Sequence, residues 1–108
     1  ILSNHGGRQL DGAVAPLRIL ADVVDAVGDW PVMVDSGFRR GSDVLKALAL
    51  GARFVFVGRP FNYAAAVAGQ AGVAHAIELL RQEVDRNMAM LGVNHCGELH
   101  RGQLLRRG

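Results

Sequence analysis

Phe54-Val55-Phe56-Val57-Gly58-Arg59-Pro60, residues 54–60, is the stretch on which the fold turns. Its first four residues are apolar, and every one is β-branched or aromatic. A strand with one wet face alternates apolar and polar residues, whereas a parallel strand covered on both faces runs apolar throughout. The run therefore predicts a parallel strand over Phe54–Val57, buried on both faces and needing neighbours on both sides. Gly58 follows directly, then Arg59 and Pro60. Proline is pre-set for the first turn of a helix. A helix start offers free backbone N–H groups and the positive end of the helix dipole to an anion.

The same pattern repeats outward from this point. Pro31–Val34 reads as a short apolar strand, Asp35–Gly41 as a polar loop, and Ser42 as the N-cap of a helix running to about Leu50. Gly51 sits where a C-terminal glycine belongs. Further upstream, Ile1–Ser3 reads as the end of a strand and Asn4–Ala15 as a glycine-rich polar loop. Pro16–Val27 reads as a helix with Leu17, Leu20, Val24 and Val27 on one face. Downstream, a short helix opens at Gly58-Arg59-Pro60. A longer one runs from about Ala71 to Leu91, striped by Val73, Ile77, Leu80, Val84 and Leu91, and Gly92 stops it. The tail to Gly108 is polar, with one short helix near Glu98–Leu105. Alternating strands and helices predict an α/β fold with a parallel sheet. All the polar, glycine-rich segments follow strands, on the face where barrels keep their active sites. Three βα units amount to about three-eighths of one (β/α)8 barrel.

Composition bounds the function. The chain has 108 residues, 50% hydrophobic and 20% charged, which suits one modest folded domain rather than a disordered segment. The formal net charge is only +2, too small to argue for nucleic acid. Eleven of its twelve basic residues are Arg, the exception being Lys46. Arg favours two-pronged binding of phosphate and carboxylate, although most of these arginines suit a solvated surface equally well. Cys96 is the single cysteine, which excludes an internal disulfide and is compatible with a reducing cytoplasm. No apolar run approaches the roughly 20 residues that span a bilayer, and no signal peptide is visible. His75, His95, His100 and Cys96 show no metal-ligand spacing, so no metal is expected.

Three loops carry candidate chemistry. In the first, Ser3-Asn4-His5-Gly6-Gly7-Arg8-Gln9-Leu10-Asp11, His5 can take a proton near neutral pH. Arg8, three residues on, can grip a carboxylate. The adjacent glycines let a ligand approach the backbone. A plain polar turn with a surface His and Arg explains the same residues without chemistry. In the second, Asp35-Ser36-Gly37-Phe38-Arg39-Arg40-Gly41-Ser42-Asp43, loop amides and an Arg make an anion nest. A helix cap explains Gly41 and Ser42 alone, but not paired arginines beside a buried strand. The third is Gly58-Arg59-Pro60. Two anion sites after consecutive strands match the place where barrels of this kind bind phosphate, after strands seven and eight.

These motifs resemble the FMN-dependent 2-hydroxy acid dehydrogenase and oxidase family, which includes glycolate oxidase, lactate dehydrogenases and oxidases, and mandelate dehydrogenase. The likeness runs through Ser-Asn-His-Gly-Gly-Arg-Gln-Leu-Asp, Asp-Ser-Gly-Phe-Arg-Arg-Gly-Ser-Asp, Leu-Lys-Ala-Leu-Ala-Leu-Gly-Ala and Val-Gly-Arg-Pro, in order and spacing, to about Gly92. The resemblance implies that residues 1–108 are part of such a domain, from the end of strand six to helix eight and the tail of a (β/α)8 barrel. By the resemblance His5 is the active-site base and Arg8 binds the substrate carboxylate. Asp35, Ser36, Gly37, Phe38 and Arg39 match the flavin-binding loop, and Gly58 and Arg59 the phosphate-binding turn. Ser36 stands where many relatives carry Gly. The implied cofactor is FMN, and the implied partner a small 2-hydroxy acid, lactate first. The electron acceptor stays open between oxygen, quinone and cytochrome. The whole protein is expected to be a homo-oligomer, a tetramer, in the cytoplasm or peripheral to the inner membrane. The abrupt Ile1-Leu2 start and the missing early strands suggest a C-terminal piece that is inactive alone. A different phosphate-binding barrel remains the rival.

Overall fold

The apolar run at 54–57 does pair as a parallel strand, though only two of its residues join the ladder. In the computed structural model, which describes residues 1–105, Phe54–Val55 (β2) lies parallel to Met33–Val34 (β1). The register is Met33 with Phe54 and Val34 with Val55. Leu2 extends the sheet on the far side of β1 through a parallel bridge to Val34, with Leu2 N–H donating to the Met33 carbonyl at 2.7 Å. The three chain segments therefore lie side by side in sequence order, as consecutive barrel strands do.

Helices fill the connections. Pro16–Val27 (α1) has the bounds expected from its sequence, with Pro16 at its first turn. Gly41–Ala49 (α2) follows β1, and Arg59–Leu91 (α3) follows β2. α3 is broken at Ala68 and Gly69, whose φ of −146° and 55° leave the helical region. The expected pair of helices, short then long, is therefore present within α3, the two meeting at this break. Gly92 ends it at φ 71°, with Val93 N–H reaching back to the Met88 carbonyl as in a Schellman turn. In the tail, Cys96–Glu98 and Arg101–Gln103 form two 3-10 turns in place of one short helix. Arg101 straps the tail down, donating to Asp25 at 2.8 Å and to the Ala21 and Leu50 carbonyls.

The core lies between the sheet and α1 and α2. Leu20, Val32, Val34, Phe38, Ala47 and Ala52 are buried together, with Leu17, Val23 and Val24 of α1 packed against them. Val27, expected on that face, is exposed, and Val23 takes its place. The stripe on α3 is likewise incomplete: Ile77 and Leu91 are exposed, and no α3 residue is fully buried. The largest departure concerns the strand that opened the argument. Phe54 and Phe56 are 54% and 41% exposed, so that face of β2 is uncovered. Their rings lie 4.9 Å apart and cover each other in part. The accessible surface totals 7610 Å², against about 5,800 Å² for a self-contained chain of this mass. A strand built for two covered faces has one covered here.

Candidate active site

The three strand-following loops converge on one side of the sheet. The first begins at Asn4, whose side-chain Oδ1 accepts the Gly7 amide at 3.2 Å. Between them, His5, Gly6 and Gly7 form a single tight turn, all at positive φ: 58°, 64° and 71°. Glycine adopts this region freely, while a histidine there is strained. The turn leaves the His5 and Arg8 side chains exposed.

The second loop follows β1. Ser36 also has positive φ, 80°, which gives the physical reason for glycine at such a position. Its hydroxyl donates to Asp35 Oδ1 at 2.6 Å and accepts the amides of Asn4 and Gly6 at 3.2 and 3.1 Å. Phe38 is 4% exposed and sits in the core, so its ring anchors the loop and its backbone is what it mainly offers a ligand. Arg39 and Arg40 donate their amides to the Asp43 carboxylate at 3.1 and 3.0 Å. Asp43, at the third position of α2, therefore caps the helix; Ser42, expected in that role, lies inside it.

The start of α2 carries a second carboxylate. Glu83 of α3 accepts the Gly41 amide at 2.7 Å and pairs with the Arg40 guanidinium at 2.7 Å. The Gly41 N–H first, then Arg40, hold its carboxyl below the usual range. Two carboxylates thus sit at the N-terminus of α2, Glu83 on the Gly41 amide and Asp43 on the two amides before it. The start of α3 differs: its N-cap is Gly58, with no side-chain cap and no acidic residue in the first turn. Of these two helix starts, only that of α3 carries no carboxylate, the arrangement that favours an anion.

The three loops line one cleft of about 350 Å³. Around it stand His5, Arg8, Asp35, Ser36, Gly37, Phe38, Arg39, Gly58 and Arg59, so every residue that the resemblance gives a site role lines the same cleft, while Arg40, the second of the paired arginines, does not. Gly6 and Pro60 of the quoted loops also line it, as do Phe56, Val57 and Asn62, to which the sequence reading gave no part in the site. Beside the Ser36 bonds, a further contact crosses between loops: Arg59 Nη2 donates to the Gly6 carbonyl at 2.9 Å, joining the α3 start to the His5 turn. No spacing in the sequence signals that bond, because 53 residues separate its ends.

The donor set suits a phosphate with an attached planar group. Among the described residues the amides of Gly37, Phe38 and Gly58 donate to no protein acceptor. A Cβ at Gly37 or Gly58 would meet nothing within 4 Å, so backbone there is open to a ligand. Arg39 and Arg59 supply positive charge, and Phe56 and Val57 an apolar wall. The arc of parallel βα units, with this cleft at the C-terminal ends of its strands, is the C-terminal part of a (β/α)8 barrel.

Comparison with known proteins supports that class and narrows it. The sequence pattern of the FMN-dependent dehydrogenase family matches residues 1–106, and the chain belongs to that family. Glycolate oxidase 2 of Oryza sativa subsp. indica is 51% identical over 106 residues, covering 97% of this chain and 29% of its own length. The L-lactate dehydrogenase (cytochrome) of Wickerhamomyces anomalus is 50% identical over 105 residues, 92% of this chain and 18% of its own. A soluble mutant of the membrane-associated (S)-mandelate dehydrogenase from Pseudomonas putida superposes with a TM-score of 0.94 at 47% identity, covering 98% of this chain and 30% of its own. The chain thus spans less than a third of the length of these relatives. Their names cover three different 2-hydroxy acids.

Proposed function

We propose that this chain supplies the base, the carboxylate grip and the phosphate cradle of an enzyme that oxidises an L-2-hydroxy acid to the 2-keto acid, with lactate as substrate. The observation that carries this reading is the convergence of His5 and Arg8 with the open start of α3 on a single cleft. A different phosphate-binding barrel would share the cradle, but nothing in it would call for a His and an Arg three residues apart.

FMN, when bound, would supply the two-electron acceptor. Gly58 and Arg59, with Arg39 and the Gly37–Phe38 amides, would hold its phosphate. Arg8 would dock the substrate carboxylate through its planar fork, fixing which carbon faces the flavin. His5, exposed at the cleft, would take the proton released as the hydroxy acid is oxidised. Asp35, joined to the His5 turn through the Ser36 hydroxyl, would keep the two loops in register. Oxygen, a quinone or a cytochrome would then take the electrons. Among the described residues no helix is long and apolar enough to cross a membrane. The lone cysteine fits a cytoplasmic location, and the proposal extends to a homo-tetrameric whole protein.

The test is His5→Ala in the full-length protein. Turnover of lactate is expected to fall by at least ~10²-fold, with flavin occupancy, read from absorbance after gel filtration, unchanged. Near-normal turnover would reject the assignment of the base.

A further inference from the structure

We propose that Ser36 is a positioning residue for His5, its hydroxyl holding the turn on which that side chain stands; the functional half of this inference rests on His5 being the base. Three residues in succession at positive φ, one of them not glycine, make an unfavourable turn. Such backbone persists only where its surroundings over-determine it.

The surroundings here are two serine hydroxyls. Ser36 Oγ accepts the Asn4 and Gly6 amides, at 3.2 and 3.1 Å, and Ser3 Oγ accepts the His5 amide between them at 3.0 Å. A hydroxyl has one proton and two lone pairs. The Ser36 proton is committed to Asp35 Oδ1 at 2.6 Å, which leaves both lone pairs to the two amides. Ser3 Oγ lies 3.3 Å away, completing a contact between the loops. Ser36 holds this place at φ 80°, where glycine would be relaxed. The strain is retained at the one position whose side chain grips the base-bearing turn from 30 residues away. Glycine at 36 would relieve the backbone and release the turn. Arg59, through the Gly6 carbonyl, would then be its remaining long-range tether.

Ser36→Gly and Ser36→Ala in the full-length, flavin-loaded protein test the inference. Glycine removes hydroxyl and strain together and guards against an alanine variant that fails to fold. Residue-resolved amide exchange is expected to quicken about fivefold or more at Asn4 and Gly6 in Ser36→Gly, with α1 unchanged, as loss of one hydrogen bond implies. The kcat for lactate is expected to drop by about tenfold or more while KM and flavin occupancy hold, because a displaced base costs rate rather than binding. Unchanged exchange at both amides overturns the proposal whatever His5 does. Quickened exchange with unchanged kcat overturns the positioning role. The exchange arm needs no turnover, so failure of the His5 assignment, shown by an active His5→Ala, stays distinguishable from failure of the Ser36 grip.

Discussion

Gly41→Ala sets two rules against each other, and the structure decides the sign. Gly41 is the first residue of α2, is buried, and has no positive φ to forbid a side chain. Helix propensity alone favours alanine by up to about 1 kcal/mol. A Cβ there, however, would stand 2.6 Å from Glu83 Cβ, 2.7 Å from Val84 N and 2.8 Å from Glu83 C. Two of those atoms are backbone, so no rotamer change relieves the overlap. Carbon contacts settle near 3.5 Å or beyond, so α3 must recede by about 1 Å at this crossing. Overpacking of this kind costs roughly 1–3 kcal/mol. The same movement stretches the 2.7 Å bond from Gly41 N–H to Glu83, a charge-assisted bond contributing roughly 1.5–3 kcal/mol. The Arg40 side of the pair is 70% exposed and adds at most about 1 kcal/mol. With the propensity gain subtracted and the bond stretched rather than lost, a net loss of about 1–4 kcal/mol is expected. Urea unfolding of the full-length protein, followed by circular dichroism, measures it. Gly12→Ala is the control, because a Cβ at Gly12 meets nothing within 4 Å. A Gly41→Ala protein as stable as the wild type would refute the reasoning and show that α3 moves freely against α2.

The other expectations concern the cleft and its supports. Arg8→Lys should raise KM for lactate and slow turnover, since a point charge cannot reproduce a planar fork; equal proportional losses for lactate and its neutral amide would argue against a carboxylate contact. Arg39→Ala should lower FMN occupancy after gel filtration and leave kcat of the loaded enzyme little changed. Arg59→Ala should lower occupancy and also slow turnover, because Arg59 holds the Gly6 carbonyl; full occupancy in both variants and in the double variant would reject the phosphate cradle. Glu83→Gln should be less stable than wild type at neutral pH. The folded Glu83 carboxyl lies below its ordinary value of 4.5, so its stabilisation is complete above that value and is lost as pH falls through the lower folded value. The stability gap between wild type and Glu83→Gln should therefore close on acidification, and a gap independent of pH would remove Glu83 from the α2 start.

What the chain discloses in advance is what lies close along it. α1 was legible to its ends because proline opens it, glycine closes it and its apolar spacing lies within 12 residues. The parallel pairing of β1 and β2 was legible because an unbroken apolar run has few other uses. The same run misled about burial. Phe54–Val57 has the composition of a strand covered twice, and composition reports the surroundings a segment was selected for, whereas Phe54 and Phe56 stand exposed in these 108 residues. Ile77 and Leu91 on α3 miss their stripe for the same reason, since α2 is the principal element packed against that helix.

The site divides along the same line. That His5, Arg8 and the loop glycines share one cleft was legible because loops after parallel strands must open on one face, so residues spaced along the chain become residues gathered in space. The bonds that shape the cleft were not legible. Ser36 to Gly6, Arg59 to Gly6 and Glu83 to Gly41 join residues 30, 53 and 42 positions apart. Spacing placed a cap at Ser42, a local answer, while the helix is capped by Asp43 from within and by Glu83 from another helix. That exchange has a consequence for ligand binding. A serine cap would have left the charge at the α2 start uncompensated and free to draw in a phosphate. Two carboxylates there disfavour one, which supports the proposed phosphate site at α3, where Gly58 carries no cap and Arg59 already reaches the turn that holds His5. The residue proposed to grip the cofactor is then hydrogen-bonded to the carbonyl of Gly6, the immediate neighbour of the residue proposed to take the proton.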